Sequence, residues 1–412
     1  MDGQEHLGQP RALISREALL HNVKVLRHAL GPKTKICAMV KADAYGHGAR
    51  LVADALTNYS MDHLEGPAVD ALAVVTMEEA MALGATPVPL MVLRPVEDLY
   101  IWAQRETIEL ALRNGWVLTV STPAAAADVA RIAGACNRPA NVQVMLDTGC
   151  AREGTPIERF NALLGAIESY SALRLFGLCT HFVSSEEPAN PFNAEQLRRF
   201  SMATSKPALK NPKVLRHTAN SGAIFFLPAA HFDMVRPGIG LYGIDPTCRP
   251  SMDRPLRPVL KWVAPLIMLR DLKTGTSVGY NQTWKAERDT RIGLVPVGYA
   301  DGYLRSFSNR AKMVVHGKAV PVVGRVSMDY VTVDLAGVPE AQLGDEVTIL
   351  DSDPLSPASA YALAEIANTI PYEVFCHVGQ RVRRVAVEPA DSEEKAVLWR
   401  TAAAAGRVAK SA

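Results

Sequence analysis

"KICAMVKADAYGHGA", Lys35 to Ala49, is the stretch on which the fold turns. An apolar run ends on Lys41, and an Ala-Asp-Ala-Tyr-Gly-His-Gly turn with two glycines comes at once after it. Lysine is the side chain least suited to burial, so its place at the end of a core strand needs a reason. Strands that are apolar throughout, rather than on alternate residues, belong to parallel sheets covered by helices. Seven more such runs come later in the chain: "ALAVV" (71–75), "PLMVLR" (89–94), "WVLTVST" (116–122), "NVQVMLD" (141–147), "LRLFGLCTH" (173–181), "VLRHTA" (214–219) and "FDMVR" (232–236). Amphipathic or alanine-rich stretches such as "TPAAAADVARIAG" and "NAEQLRRFSMATS" lie between them. This alternation predicts an α/β chain whose residues 12–247 close into a (β/α)8 TIM-like barrel. An open doubly wound sheet is the alternative, but no G-x-G-x-x-G comes after an early strand.

The texture changes after residue 250. "RPLRPVLKWVAPLIMLRDL", "IGLVPVGYADGY", "AKMVVHGKAVPVVGRVSMDYVTVDL" and "GDEVTILD" are β-branched, alternating and punctuated by Gly and Pro, which predicts a mainly antiparallel β-domain over 248–390. A short helix, "ASAYALAEIANTI", and a last strand, "QRVRRVAVEP", close it, and residues 391–412 read as a helical tail. The N-terminal segment 1–11 is a candidate addition to the β-domain, and "RALIS" (11–15) a candidate strand of it.

The 412 residues are 48% hydrophobic and 21% charged, ordinary for a globular enzyme of two domains. Lys+Arg 44 against Asp+Glu 42 leaves a formal charge of +2, which argues against a nucleic-acid surface or a polybasic membrane anchor. No signal-peptide pattern and no apolar run of spanning length is present, so the expected location is cytoplasmic. Six scattered cysteines form no C-x-x-C and no zinc spacing, and read as reduced thiols; no metal is expected.

Barrel chemistry sits at the C-terminal ends of the strands, where loops from all units converge. Lys41 ends the first strand, Asp147 the fifth with Arg152 in its loop, and His181 the sixth; Asn220 and Ser221 come after the seventh, and Arg236 ends the eighth before Gly238 and Ile239. Each has a plain alternative. Lys41 can snorkel to water, His181 can be a core histidine, Asn220-Ser221 can cap a helix, and Arg236 can pair with Asp233. Their coincidence at one rim favours a pyridoxal phosphate site. An aldehyde cofactor needs a neutral amine, an apolar strand favours the neutral form of lysine, and barrels place phosphate at the loops after strands seven and eight.

These residues resemble the fold type III pyridoxal phosphate enzymes, and among them the alanine racemase family. Beside "AMVKADAYGHG", the similar motifs are "LDTGCAREG", "THF" (180–182), "HTANSGA" (217–223), "MVRPGIGLYG" (234–243), "SVGYNQTW" (277–284), "VPVGYADGYLR" (295–305) and "VGRVSMDY" (323–330), in the family's order over roughly residues 11 to 388. The resemblance implies racemisation of alanine by two bases, Lys41 and Tyr280, the latter from the β-domain of a second subunit of a homodimer. It implies that Lys41 carries the cofactor covalently, that Tyr45, Asn220, Ser221, Gly238 and Ile239 hold its phosphate, and that His181 packs near its ring. Arg152 would meet its phenolic oxygen and the substrate carboxylate, and Arg236 would face the pyridine nitrogen. A guanidinium donates to that nitrogen but does not protonate it. Met328 and Asp329 would be substrate-side residues from the partner, Tyr299 would line the entry and restrict substrate size, and the role implied is supply of D-alanine for peptidoglycan.

Two positions depart from the pattern. Many relatives carry a carboxylated lysine where this chain has Met145, so Arg152 needs another anionic neighbour: a chloride, an ordered water or Asp147. Many carry a tyrosine where this chain has Gln380. A broad-specificity or serine-preferring racemase therefore stands as an alternative. A fold type III decarboxylase is disfavoured by the lack of a "CESxD"-like stretch, and a non-catalytic cofactor carrier by the long β-domain.

Overall fold

The computed structural model describes residues 9–58, 66–96, 104–205 and 213–387, so the tail expected over 391–412 lies outside the described residues. The chain divides into two compact units, residues 22–256 and a second unit of residues 1–21 with 257–412.

Strand β1 (Arg11–Ser15) opens the described chain and leads into the helix Arg16–His28. The barrel strands are β2 (Lys35–Met39), β3 (Ala71–Val74), β4 (Leu90–Pro95), β5 (Val117–Val120) and β6 (Ala140–Asp147), then, after the two-residue β7 (Thr155–Pro156), β8 (Leu173–Cys179), β9 (Leu215–His217) and β10 (Met234–Val235). They hydrogen-bond in parallel in the order β10-β2-β3-β4-β5-β6-β8-β9. Two backbone bonds draw β9 and β10 together and complete the ring: Asp233 N to Arg216 O at 3.0 Å and Arg236 N to Ala219 O at 2.8 Å. Ile36, Cys37 and Ala38 are wholly buried, as are all four residues of β3, which is the uniform burial that their apolar runs called for. The (β/α)8 barrel expected from the sequence is the observed fold.

The second unit is mainly antiparallel. Its largest sheet contains β11 (Leu260–Pro265), β16 (Lys312–Val315), β17 (Lys318–Pro321), β19 (Glu346–Leu350) and β20 (Arg383–Val387), ordered β17-β16-β19-β11-β1-β20. A second sheet joins β12 (Met268–Leu272), β15 (Thr290–Val295) and β18 (Val331–Asp334), and β13 (Ser277–Val278) pairs with β14 (Trp284–Lys285). The candidate strand at 11–15 is thus an interior strand, antiparallel to β11 and parallel to β20. Ala12 and Ile14 point into the core while their neighbours are half-buried, the period-two pattern of a strand with one covered face. The segment expected as one helix near 358–370 is the helix Ala360–Ala367, stopped by the left-handed Asn368, and a second helix, Pro371–Cys376, comes next with proline in its first turn. Among the described residues no helix is long and apolar enough to cross a membrane.

Ile14 is 3% exposed in an interior strand, so Ile14→Ala is expected to cost about 3 kcal/mol through lost burial and the cavity left behind. A thermal melt checks this; an unchanged midpoint would mean that the N-terminal strand does not hold the β-sheet together.

Candidate active site

The turn at the end of β2 is the foundation of the site. After Val40 and Lys41, the four residues Ala42, Asp43, Ala44 and Tyr45 all take left-handed backbone angles, with φ between 51° and 54°. Left-handed geometry costs a residue with a side chain about 1–2 kcal/mol, because Cβ crowds the carbonyl oxygen of the next peptide unit. Neighbouring groups hold the turn in place. Ala42 N donates to Glu79 Oε1 at 2.7 Å, and Ala49 N to Asp43 Oδ1 at 2.7 Å. The other oxygen of Glu79 takes the amides of Val75 and Thr76 at 2.8 and 3.1 Å, so one carboxylate caps the helix Met77–Leu83 and braces the turn. Gly46 and Gly48, at φ 79° and 90°, release the chain from this geometry at no steric cost. The half-buried Lys41 therefore leaves the strand at a fixed angle, its Nζ 6.0 Å from the centre of the Tyr45 ring.

The loops after β9 and β10 meet that turn. A Cβ on Gly238 would collide with the Tyr45 hydroxyl, so only glycine lets the tyrosine in. Ser221 Oγ accepts from Gly238 N at 3.0 Å and Gly240 N at 3.1 Å, which leaves its own proton to donate. Ile239 is buried in the short turn Ile239–Tyr242, whose Tyr242 hydroxyl donates to Met39 O at 2.7 Å. Asn220 is the N-cap of the helix Ser221–Phe226, its Oδ1 accepting from Ala223 N and Ser185 Oγ. The plain reading of Asn220 thus holds for its oxygen. Tyr45, Ser221 and the Gly238 turn converge on one corner of the rim, as binding a phosphate requires.

Arg236 is buried and closely held. Its Nη1 donates to His217 O at 2.5 Å and to His217 Nδ1 at 2.8 Å, and its Nη2 to Thr180 O at 2.6 Å. It does not pair with Asp233, which takes the guanidinium of Arg216. Because Arg236 can only donate, His217 Nδ1 must accept, so the neutral ring carries its proton on Nε2. Burial, then the charge of Arg236, holds the His217 pKa well below its ordinary value. Sequence reasoning did not single out His217 as the partner of Arg236; the signal for it was a histidine in a strand run next to the Asn220-Ser221 loop.

His181 behaves alike. Loss of hydration, then the positive charges of Arg236, Arg152 and Lys41, pushes its pKa down to about 3. The same fact gathers Lys41, Arg152, His181 and Arg236 at one rim. Arg152 meets Glu153, Nη2 to Oε1 at 2.9 Å, and not Asp147. Asp147 faces its own loop instead, its Oδ1 accepting from the amides of Gly149, Cys150 and Ala151 at 2.9, 2.9 and 3.1 Å.

Tyr280, Tyr299, Met328 and Asp329 lie in the second unit. Tyr299 N donates to Ser327 O and Ala300 N to Met328 O, both at 3.0 Å. Gly279, just before Tyr280, packs so that a Cβ would stand 3.3 Å from Arg325 N. Arg381, another residue missed from sequence, pins this face: its Nε donates to Asp301 and its Nη2 to Asp329, each at 2.9 Å, beside the exposed Gln380.

If the left-handed turn stores strain, Ala42→Gly should leave stability unchanged or raise it by up to about 1 kcal/mol, whereas Ala127→Gly in the right-handed helix Pro123–Ala135 should cost about 1 kcal/mol. Denaturant titration of the pair tests this, and equal losses would remove the strain. For His181, the folded pKa of about 3 lies below the ordinary 6.5, so its contribution to stability is complete above pH 6.5 and shrinks as pH falls towards 3. Imidazole resonances in an NMR titration should show His181 still neutral near pH 5; a midpoint near 6.5 would refute the reading.

Two family descriptions match the chain, the alanine racemase N-terminal domain over residues 14–246 and the alanine racemase C-terminal domain over 259–386. An alanine racemase of Chlorobaculum tepidum is 38% identical over 381 residues, covering 91% of this chain and 95% of that one. The solved alanine racemase of Streptomyces coelicolor A3(2) superposes with a TM-score of 0.80 at 35% identity, covering 93% and 98% of the two chains. The Bartonella henselae alanine racemase, solved with covalently bound pyridoxal phosphate, superposes at 0.77 with 27% identity, covering 92% and 99%. With its barrel and its β-unit each matched in turn, the chain belongs to the alanine racemase family, whose members are isomerases.

Proposed function

We propose that this chain interconverts L- and D-alanine with pyridoxal phosphate, moving the Cα proton between Lys41 on one face and Tyr280 of the partner subunit on the other. The observation that carries the reading is the rim itself: a half-buried lysine fixed by a braced turn, beside a corner of Tyr45, Ser221 and Gly238 that suits a phosphate. When bound, the cofactor supplies an aldehyde for the amino group and an electron-withdrawing ring that acidifies the Cα–H bond. Arg236 can donate to a ring nitrogen but is too basic to hand over its proton, which keeps that withdrawal moderate. His181, neutral over the physiological range, can pack against the ring without adding another positive charge. Arg152 and the backbone N–H of the partner's Met328 would orient the substrate carboxylate. Tyr299 of the partner subunit would limit side-chain size.

The reading needs a homodimer, and the surface of the second unit supports one. Tyr280, Tyr299, Met328 and Tyr330 are 70%, 44%, 53% and 47% exposed, and large apolar side chains left open in one unit ask for a covering partner. The role proposed is D-alanine supply for peptidoglycan in the cytoplasm. Gln380, exposed beside the Arg381 pin, is the position at which a broader or serine-preferring activity would arise.

The holoenzyme, incubated with L-alanine in deuterium oxide, should lose optical rotation as deuterium enters Cα. Lys41→Ala should abolish both the exchange and the visible absorbance of the bound cofactor. Tyr280→Phe should slow proton removal from L-alanine by at least about 100-fold, the usual weight of a general base, and from D-alanine far less. Release of carbon dioxide would point to a decarboxylase, no reaction to a carrier, and equal losses for both enantiomers would reject the two-base assignment.

A further inference from the structure

Three positive side chains stand near one another at the barrel mouth. Lys41, Arg152 and Arg236 all bear on His181, and Arg236 directs donors to neutral carbonyls and a neutral ring. Arg152 is the least constrained of the three by burial: its side chain is 56% exposed, and it stands in an irregular loop. A guanidinium that must meet an anion at a fixed place needs a partner to hold it there. Met145, on β6, has no charge to offer and is buried, and Asp147 turns its Oδ1 to three backbone amides of its own loop rather than to Arg152.

Glu153 is the carboxylate bonded to Arg152, at 2.9 Å, and it is itself only 24% exposed. Its position is fixed by the chain on its far side. Gly154, at φ 107°, lies so close to β6 that a Cβ would stand 2.9 Å from Met145 O and 3.2 Å from Asp147 N. Thr155 and Pro156 then pair with Leu146 and Asp147 as β7. Glu153 thus branches from backbone that is held directly beside the strand that carries Met145.

We propose that Glu153 is the positioning residue for Arg152, supplying from the loop the negative charge that Met145 cannot supply from the strand. This rests on the racemase reading given above, and it makes the enzyme independent of a bound chloride or of lysine carboxylation at that point.

The test uses the holoenzyme assayed in sulfate buffers with added chloride or formate. The wild type should be indifferent to either anion. Glu153→Gln should lose about tenfold in kcat/KM for alanine, mainly through KM, as expected for a partly exposed charged hydrogen bond. Chloride or formate should restore much of that loss by filling the vacated place, and Glu153→Asp should fall between. Binding of pyridoxal phosphate to the apoenzyme, monitored by absorbance, should weaken and recover in parallel, a readout that a merely structural carboxylate would not move. A wild type that itself requires chloride, or a Glu153→Gln enzyme that matches the wild type without added anion, overturns the proposal. Should Glu153→Gln fail to fold, the anion response of the wild type and of Glu153→Asp decides. A wild type without racemase activity would sink the functional reading instead, so the two failures are distinguishable.

Discussion

Four consecutive left-handed residues directly after Lys41 are the constraint on which the barrel mouth depends. The amine must leave the strand at the rim and hold one direction, while Tyr45 must turn back toward the loops after β9 and β10. A right-handed turn of the same length would send Tyr45 elsewhere and leave the space beside Gly238 unfilled. The strain is offset by bonds that cost the rest of the fold little. Glu79 is already the capping residue of a helix, and its second oxygen reaches Ala42 N. Strain concentrated beside Lys41 is tolerable because the surrounding structure over-determines it.

Charge is managed at the rim by keeping the histidines neutral. His181 and His217 both lose affinity for a proton, first through burial and then through Arg236. Were either to ionise at neutral pH, it would repel the buried guanidinium. The neutral tautomer of His217 is what gives Arg236 an acceptor, so the histidine and the arginine fix one another. The guanidinium is thereby aimed by neutral partners, a ring and two carbonyls, none of which cancels its charge.

Much of this was legible in the sequence. Uniformly apolar runs pointed to the parallel barrel, because burial on both faces removes the polar alternation. The rim residues were readable because barrel topology places strand ends together. The strand at Arg11–Ser15 was readable only as a candidate, since five alternating residues carry no sign of which distant strands they join. The handedness of the Ala42–Tyr45 turn was hidden: alanine favours right-handed geometry, and only tertiary bonds to Glu79 and the close fit of Gly238 reverse that preference. Glu153 did not stand out for a different reason. The sequence left a chloride, an ordered water or Asp147 as neighbours for Arg152, and an aspartate just ahead of a glycine turn is drawn to its own backbone amides.

The second unit shows the same logic in a different material. Tyr299 and Met328 sit on adjacent turns whose backbones bond to one another, and the glycines there admit no side chain: a Cβ on Gly298 would strike Met328 O, and one on Gly302 would strike His377 O. Arg381 ties the buried Asp301 to the exposed Asp329, so the charge on the surface is anchored through a charge in the core. A face built in this way presents exposed tyrosines on a stiff support. Close-packed backbone gives that support its stiffness at an entropic cost, because each glycine held there gives up the wide range of angles it has in the unfolded chain.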